Sequence, residues 1–355
     1  MLPAVPTPPT PPPDDALTPG ALRRAYRSAF VPRPGIYWAD LLTSAGLGWL
    51  GFFTALRATA PLVAVAATAV AVLALYRSVL FIHELTHLKR GALPGFEAAW
   101  HLLVGFPLQV PSLVYVGSHG DHHRKRIYGT RDDPEYETFS DWSPLQLLLS
   151  TLGLAVVPAV LVVRWAVLAP LSWLLPPLRR LLVERLSTLV VNASYRRRPP
   201  LGRQRRRWWL GELGCVLTAW AGIAAYFEGA LAPHVVALWY GVTTAILWLN
   251  QVRTLAAHRY RSRGLATDRV GELLDTVNLV HPVPLMTLLA PVGMRFHALH
   301  HFAPTLPYHS LGQVHRALEQ RLPASSPYRR AQVRGIGTVL AELVATSDEG
   351  APDTA

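Results

Sequence analysis

The sequence predicts an all-α integral membrane protein with about four transmembrane helices and a histidine-rich cap on the cytoplasmic side. Three observations support this fold class. The chain has 355 residues, of which 51% are hydrophobic and only 16% are charged, whereas a soluble domain carries about 25% charged residues. The apolar residues stand in blocks of membrane-spanning length. Many of the 14 histidines stand in short clusters near the ends of these blocks.

Composition divides the chain into three parts. Residues 1–34 begin with a Pro- and Thr-rich stretch and lack the pattern of a secretory signal, so we expect a disordered tail. Residues 35–330 hold the apolar blocks and the histidine clusters, and we expect a single membrane domain there. Residues 331–355 become polar and then acidic, which predicts a C-terminal tail.

Four apolar blocks are long enough to cross a bilayer, for which a helix needs roughly 20 residues. They are residues 35–56, 61–82, 210–231 and 235–256. The first contains Asp40 and the second contains Arg77 as their only charges. The first also matches the dinucleotide pattern GxGxxG, but no strand precedes it, so close helix packing explains its glycines better.

Arginines predict the orientation of these helices. Ten of them lie between residues 179 and 207, whereas the two short hairpin connections carry only Arg57 between them. Basic loops are typically cytoplasmic, so both hairpin tips face the other side. Residues 83–144 and 257–355 then share the cytoplasmic side with the arginine-rich loop. The apolar stretch 145–178 must therefore cross an even number of times or lie in the interface. We favour the interface because this stretch contains Arg164 and several prolines.

The net charge of +12 is therefore interpreted as a marker of sidedness and of contact with lipid headgroups. Nucleic acid is not expected as a partner, because the arginines adjoin a predicted span. Trp208 and Trp209 beside them are typical of a membrane-interface belt.

Three histidine clusters lie on the predicted cytoplasmic side. The first box is HELTH, the second HGDHH and the third HALHH, and together they contain His83, His87, His119, His122, His123, His297, His300 and His301. Residues three and four apart share one face of a helix, so each box directs two or three imidazoles the same way. Imidazole binds Zn, Fe, Cu and Ni. Eight imidazoles exceed the needs of one ion, and the pattern predicts a dinuclear metal site.

Two other metal motifs overlap the first box. The HExxH pattern of His83, Glu84 and His87 is also that of zinc proteases, which raises the alternative of an intramembrane metalloprotease. That site needs one further ligand and leaves six clustered histidines without a role. The pair Glu84 and His87 is half of a carboxylate di-iron motif, but the other boxes contain no second copy.

The boxes resemble those of the membrane-bound fatty acid desaturase and hydroxylase superfamily, which carries HxxxH, HxxHH and HxxHH in this order. The gap of 32 positions between His87 and His119, and the long hydrophobic gap before His297, are similar as well. The stretch HFAPTLPYH (residues 301–309) resembles the desaturase form of the third box. The resemblance covers about residues 36–330 and implies that the eight box histidines bind two iron ions.

The resemblance also implies a further iron ligand near the cytoplasmic end of the last span. His258 is our candidate, and His281 is a poorer one. Some members of the family carry an asparagine one helical turn earlier, where this chain has Thr254. Metal-bound imidazoles usually need acidic partners, and the candidates are Glu84, Asp121, Asp132, Asp133 and Glu135.

The activity implied by the resemblance is fatty acyl desaturation, the O2-dependent introduction of a C=C double bond into an acyl chain. Hydroxylation of a fatty acid, an alkane or a carotenoid at the same kind of site is the alternative. The substrate is expected to be a fatty acyl lipid. Because one cysteine cannot hold a cluster and no haem or flavin motif occurs, a separate donor must supply electrons, either ferredoxin or a b-type cytochrome with its reductase. The active site is expected on the cytoplasmic side of a multi-pass membrane protein.

Overall fold

The computed structural model describes residues 18–188, 192 and 194–349. In chain order its helices are α1 (Pro19–Ala25), α2 (Pro34–Arg57), α3 (Pro61–Val79), α4 (Phe81–His87), α5 (Phe96–Trp100), α6 (Ser118–His122), α7 (Pro144–Gly153), α8 (Val157–Val163), α9 (Ala169–Leu174), α10 (Pro176–Glu184), α11 (Gly202–Phe227), α12 (Pro233–Leu255), α13 (Arg269–Asp275), α14 (Val283–Leu289), α15 (His297–Phe302), α16 (Tyr308–Arg321), α17 (Pro327–Arg330) and α18 (Ile336–Glu349). Two short strands, β1 (Asn278–Leu279) and β2 (Gln332–Val333), pair in parallel.

Among the described residues, five helices are long and apolar enough to cross a membrane. Their outer surfaces are apolar: Leu50, Leu62 and Phe227 are 63%, 80% and 82% exposed. Contiguous exposed apolar surface of this kind belongs in lipid. The predicted all-α membrane fold is confirmed, and the predicted count of four spans is approximate because the stretch 144–174 supplies a fifth candidate.

The first hairpin, α2 and α3, is closely packed because small residues line its contact. A Cβ added at Gly51 would lie 2.9 Å from the backbone nitrogen of Ala71, and one at Gly48 would lie 2.6 Å from the Leu75 side chain. Only glycine allows this approach. Two glycines of the GxGxxG pattern, Gly48 and Gly51, are thus helix-packing residues, as the sequence predicts, whereas a Cβ added at Gly46 would meet nothing within 4 Å.

The two charges of the first hairpin satisfy each other. The Arg77 Nε donates a hydrogen bond to Asp40 Oδ1 at 2.7 Å. The Tyr308 hydroxyl donates to Asp40 Oδ2 at 2.9 Å. The ion pair therefore also ties the hairpin to α16 in the cap.

The apolar stretch 144–174 is a bent series of helices. A 3₁₀ turn at Leu154–Val156 separates α7 from α8, and a π-helical turn at Arg164–Leu168 separates α8 from α9. Pro158 and Pro170 stand at the starts of α8 and α9, where a missing N–H is tolerated. Such irregular turns are sites at which helices bend.

Both ends of the stretch 144–174 lie near the same end of the α11–α12 helix pair, where α11 begins and α12 ends. Leu147 packs in a cluster with Leu255, the last residue of α12, and Trp173 contacts Trp209 in the second turn of α11. Between these two ends of the stretch, the Tyr240 hydroxyl in the N-terminal half of α12 donates a hydrogen bond to the Ala155 carbonyl of the 3₁₀ turn. The segments before and after this stretch are expected on the same side of the membrane, so the stretch must cross an even number of times if it crosses. These contacts fit two crossings, that is, a hairpin broken by the two irregular turns. They are harder to reconcile with the flat interfacial position that we favoured from the sequence.

The inner part of the predicted N-terminal tail is folded. Residues 1–17 lie outside the described residues. The next segment forms α1, whose Thr18 side chain accepts a hydrogen bond from the Ala21 N–H. Leu22 and Tyr26 are buried at 1% and 7% exposure. Two buried residues one helical turn apart, Leu22 and Tyr26, are therefore enough for α1 to pack on the cap. The average composition of residues 1–34 does not reveal this pair.

The inner part of the predicted C-terminal tail is folded too. In the β1–β2 pair, Asn278 faces Gln332 and Leu279 faces Val333. Beyond β2, α18 buries Leu343 in the cluster that also contains Leu147. The polar composition of residues 331–355 does not reveal this folded segment, because the β1–β2 pair joins residues that are far apart in the sequence.

Candidate metal centre

Short helices at one end of the long hairpins carry the three boxes. The first box forms α4, directly after α3, the second lies in α6, and the third begins α15. His258 follows α12 by three residues. Because the boxes are helical up to the His123 cap of α6, their histidines project towards one region. Within that region His119 and His123, four apart, share a nitrogen group, whereas His122 belongs to another.

Five histidines from all three boxes form the first nitrogen group. One nitrogen of each lies within 4.8 Å of the others, and the members are His83, His87, His119, His123 and His300. The Nε2 atoms of His119 and His123 are 3.0 Å apart, as are those of His123 and His300. Lone pairs at this separation repel each other unless a proton or a metal ion lies between them.

The second nitrogen group lies beside the first. His122, His258 and His301 also have one nitrogen each within 4.8 Å of the others. His297 adjoins them, with its Nε2 3.0 Å from the Nε2 of His258. The structure thus brings together all nine histidines named from the sequence. His281 is exposed and lies in neither group.

Four carboxylates contact the outer faces of these imidazoles. Glu135 accepts from His119 Nδ1 at 2.9 Å, and Asp133 from His122 Nδ1 at 2.8 Å. Glu272 accepts from His301 Nδ1 at 3.2 Å. The fourth, Asp275, accepts from the Tyr128 hydroxyl at 2.6 Å, and that hydroxyl lies 3.0 Å from His258 Nδ1. Such contacts fix the tautomer and the direction of an imidazole, leaving Nε2 for a metal.

Asp133 and Glu135 are among the carboxylates expected from the sequence, whereas Glu272 and Asp275 are not. Glu272 and Asp275 stand three apart on α13, at the spacing that shares a helix face. This spacing, in a segment that follows His258, is the sequence pattern from which the two carboxylates could have been predicted. Of the other sequence candidates, Asp121 pairs with Arg124 at 3.0 Å, and Asp132 is exposed.

Glu84, the remaining candidate, faces away from the nitrogen groups. Its carboxylate accepts hydrogen bonds from the Tyr37 hydroxyl and from the Tyr308 backbone N–H. Its Oε1 is 3.8 Å from His83 Nδ1. A zinc protease needs this glutamate as a base facing metal-bound water, so the contacts of Glu84 argue against the metalloprotease alternative.

The site fits a metal because several buried nitrogens have no other partner. Among the described residues, six buried imidazole nitrogens lack a hydrogen bond, two on His83 and one each on His87, His123, His297 and His301. Leaving a buried polar atom unpaired costs about 1–3 kcal/mol. Nitrogen donors concentrated in this way fit the first-row ions that imidazole prefers.

The protonation of these imidazoles also suits metal binding, which requires neutral rings. Burial holds the pKa of His119, His123 and His300 well below the usual 6.5. Burial acts in the same direction on His122, but the Asp133 carboxylate outweighs it and raises the pKa of His122 to about 9. A bound cation would compete with that proton.

A pocket of about 380 Å³ borders the first nitrogen group at His87. His87 lines it, together with Pro304–Pro307 after the third box and three cationic residues, Arg23, Arg27 and Lys89. The folded start of the N-terminal segment therefore forms one wall of a pocket that borders His87.

Comparison with known proteins gives two matches. Residues 58–332 match the family described as fatty acid desaturase. The chain is 41% identical over 313 residues to a protein named ceramide hydroxylase from Caulobacter vibrioides (strain NA1000 / CB15N), and the alignment covers 88% of this chain and 89% of that relative. No solved structure matches this chain.

Proposed function

This chain belongs to the fatty acid desaturase family, and on that basis we propose that it is a membrane oxidoreductase that hydroxylates an acyl lipid of the ceramide type. The observation that carries the proposal is the 41% identity to a ceramide hydroxylase over nearly the full length of both chains. The histidine boxes favour desaturation first and hydroxylation second, and this relative reverses the order. Desaturation remains the second candidate, because the stretch after the third box resembles the desaturase form.

The two reactions differ in where oxygen goes. In hydroxylation, a C–H bond, O2, two electrons and two protons give a C–OH group and one water. In desaturation, two adjacent C–H bonds, O2, two electrons and two protons give a C=C bond and two waters. Both use the same co-substrate and the same number of electrons, so family membership alone does not separate them.

The proposed cofactor is a pair of iron ions. The first nitrogen group would hold one ion, and the second nitrogen group together with His297 would hold the other. When bound, iron supplies the activation of O2 that an unactivated C–H bond requires, since such a bond has no acidity for a side-chain base to exploit.

The side chains around the histidines keep the donor set in place. Asp133, Glu135 and Glu272 would each hold the Nδ1 proton of one imidazole, and Asp275 would act on His258 through Tyr128. Seven of the nine histidines are buried, which keeps bulk water from the donors. A dry site protects reactive species from side reactions.

Electrons are proposed to come from a separate protein, ferredoxin or a b-type cytochrome with its reductase. Cys215, the only cysteine of the chain, is buried within α11. We also propose that the site faces the cytoplasm, because the histidines lie at the hairpin ends that adjoin the arginine-rich loop. The acyl chain would enter from the surrounding lipid.

Oxygen-isotope labelling tests the proposal. The purified protein in vesicles with a non-hydroxylated ceramide, iron, a ferredoxin and its reductase is supplied with ¹⁸O2. We expect a lipid that carries one ¹⁸O atom in a new hydroxyl group. A product with a new double bond and no ¹⁸O would instead establish the desaturase.

Two controls make this experiment specific. His122→Ala is expected to abolish the product, whereas His234→Ala, in the exposed tip of the second hairpin, is expected to leave it unchanged. Metal analysis of the same preparations addresses the protease alternative. One zinc and no iron per chain would overturn the proposed function.

A further inference from the structure

A second pocket, of about 300 Å³, lies beside the start of α11 and shares no lining residue with the pocket that borders His87. Its volume is at the lower end of the range of about 300–1,000 Å³ that is usual for small-molecule sites. None of its described lining residues is a histidine, so it lies outside the two nitrogen groups. Four of the lining residues are arginines, namely Arg90, Arg197, Arg203 and Arg207.

Two of the lining side chains, Arg197 and Trp208, are buried against each other. They are 5% and 2% exposed, and the Arg197 guanidinium lies over the Trp208 ring at 4.6 Å from its centroid. The guanidinium donates three hydrogen bonds, to the backbone carbonyls of Leu113, Val116 and Ser187. These carbonyls hold the side chain in place but provide no negative charge, and a buried cation without a counter-charge is unfavourable.

Both buried side chains retain hydrogen-bond donors. The Nε1 of Trp208 is buried and has no partner among the described residues. Arginine carries five N–H groups, and the three carbonyls leave two of those of Arg197 without a partner in the described part of the chain. Because unpaired buried donors are destabilising, a ligand with several acceptor atoms is favoured in this pocket.

The carboxylates around the pocket do not neutralise it. Among the described residues, Glu97 is the only carboxylate in the lining. Its Oε2 is 3.6 Å from the Nη1 of Arg207, and its Oε1 accepts a hydrogen bond from the Ser112 hydroxyl at 3.0 Å. Glu97 therefore offsets one of the four arginines.

The other three arginines have no described carboxylate within ion-pair distance. Asp121 acts on Arg197, but it lies outside the lining, where it pairs with Arg124 at 3.0 Å and accepts from the Tyr195 hydroxyl at 2.9 Å. The pocket thus keeps an excess of positive charge and of N–H donors. Phosphate has the complementary charge and several acceptor oxygens, and arginine is the residue that commonly binds it.

The position along α11 indicates which phosphate reaches the pocket. Arg203 and Arg207 stand in the first two turns of α11, directly before the apolar block 210–231. Leu201 and Trp209, on either side of them, are 80% and 47% exposed, and exposed tryptophans are typical of membrane interfaces. The pocket therefore lies at the depth expected for lipid headgroups, where basic pockets bind anionic phospholipids.

We propose that this pocket binds the phosphate group of an anionic phospholipid, with Arg197, Arg203 and the Nε1–H of Trp208 as donors. A ceramide carries no phosphate, so this lipid differs from the proposed substrate, and the inference does not rest on the proposed function. The bound phosphate stabilises Arg197, which holds the Val116 carbonyl three residues before His119. It therefore also stabilises the segment that leads into the second box.

Native mass spectrometry of the full chain in a non-ionic detergent is the first test. Phosphatidylglycerol, phosphatidylcholine, a diacylglycerol and inorganic phosphate are titrated separately. We expect one phosphatidylglycerol per chain to be retained most strongly. Phosphatidylcholine is expected to bind more weakly because the arginines repel its ammonium group, and diacylglycerol is expected not to bind because it lacks phosphate. Equal retention of the three lipids would overturn the inference. Inorganic phosphate bound as tightly as phosphatidylglycerol would overturn the lipid assignment in favour of a free anion.

Removal of one arginine of the lining is the second test. Arg203→Gln is expected to weaken phosphatidylglycerol binding about ten-fold, the loss typical of one hydrogen bond to a charged group. Arg206→Gln is the matched control, because it removes the same charge from the same exposed turns of α11 but lies outside the lining. It is expected to remain within about two-fold of the wild type, as is usual for an exposed charge. Equal losses in both variants would show a general attraction of lipid to basic residues and would overturn the pocket.

Removal of the indole donor is the third test. Trp208→Phe keeps an aromatic ring under Arg197 but lacks the N–H, and it is expected to weaken binding by about two- to ten-fold. Trp209→Phe, exposed and outside the lining, is the control and is expected to bind as the wild type. Because Arg203 is exposed, its substitution leaves the buried core intact. Unchanged phosphatidylglycerol binding in either Arg203→Gln or Trp208→Phe would contradict the proposed site.

Discussion

The Nδ1 of His122 lies 2.8 Å from Oδ1 of Asp133, and both side chains are almost completely buried. The Asp133 carboxylate also accepts hydrogen bonds from the backbone N–H groups of Gly129 at 2.8 Å and Glu135 at 3.0 Å. The loop after the second box therefore fixes the carboxylate, and the carboxylate in turn fixes the direction of the imidazole.

Asp133→Asn is expected to weaken metal binding about 10- to 100-fold, the usual effect of losing an acidic partner of a metal-bound histidine. The physical reason is the loss of the negative charge that favours the Nδ1–H tautomer and aims Nε2 at the metal. Iron retained after dialysis against graded chelator measures the change. Asp132→Asn, next to it and exposed, is expected to match the wild type, and equal iron retention in both variants would contradict the assignment.

His258→Ala is expected to remove about one of the two proposed iron ions per chain, because it takes one donor from the second nitrogen group and none from the first. His281→Ala is the comparison, since His281 is exposed and outside both groups. Iron per chain, measured by atomic emission on purified protein, separates the two variants. Full iron content in His258→Ala would show that the ninth histidine is not a ligand.

Membrane sidedness is tested by labelling introduced cysteines. The native Cys215 is buried and is not expected to react with the label. A membrane-impermeant maleimide added to intact cells is expected to label Thr59→Cys at the exposed tip of the first hairpin. It is expected to label Asp141→Cys and Arg180→Cys, on either side of the stretch 144–174, only after the cells are opened. Labelling of these last two positions from opposite sides would show that the stretch crosses once and that the broken hairpin is wrong.

Leu343→Ala is expected to lower the stability of the fold by about 2–5 kcal/mol, as is usual for truncation of a buried leucine. Leu343 is 3% exposed in the cluster that α18 shares with Leu147 and Leu255. Thermal unfolding in detergent measures the loss, and Leu288→Ala, with its leucine 45% exposed, is expected to change little. An unaltered unfolding temperature for Leu343→Ala would mean that α18 does not stabilise the domain.

Local sequence patterns were sufficient to predict the membrane-spanning helices and the helical histidine boxes. A run of apolar residues reports its own environment, and the spacing within HELTH, HGDHH and HALHH reports a helix face without reference to the rest of the chain. For this reason the membrane-spanning hairpins and the convergence of His83, His119 and His300 could be predicted from the sequence.

Features that depend on distant contacts could not be predicted. Nothing local distinguishes Glu272 from other acids, and its place beside His301 depends on the packing of α13 against α15. The same holds for α18, which packs through Leu343 against Leu147 and Leu255.

The distribution of donors has a consequence for how the protein is made. The third box contributes His300 to the first nitrogen group and His301 to the second, and it is the last of the three to be synthesised. Neither group is complete in a nascent chain that ends before α15, even when all the long hairpins are already present. Both proposed metal positions would therefore be completed only after translation of the third box, because before it the first group has four of its five nitrogens and the second has two of its three.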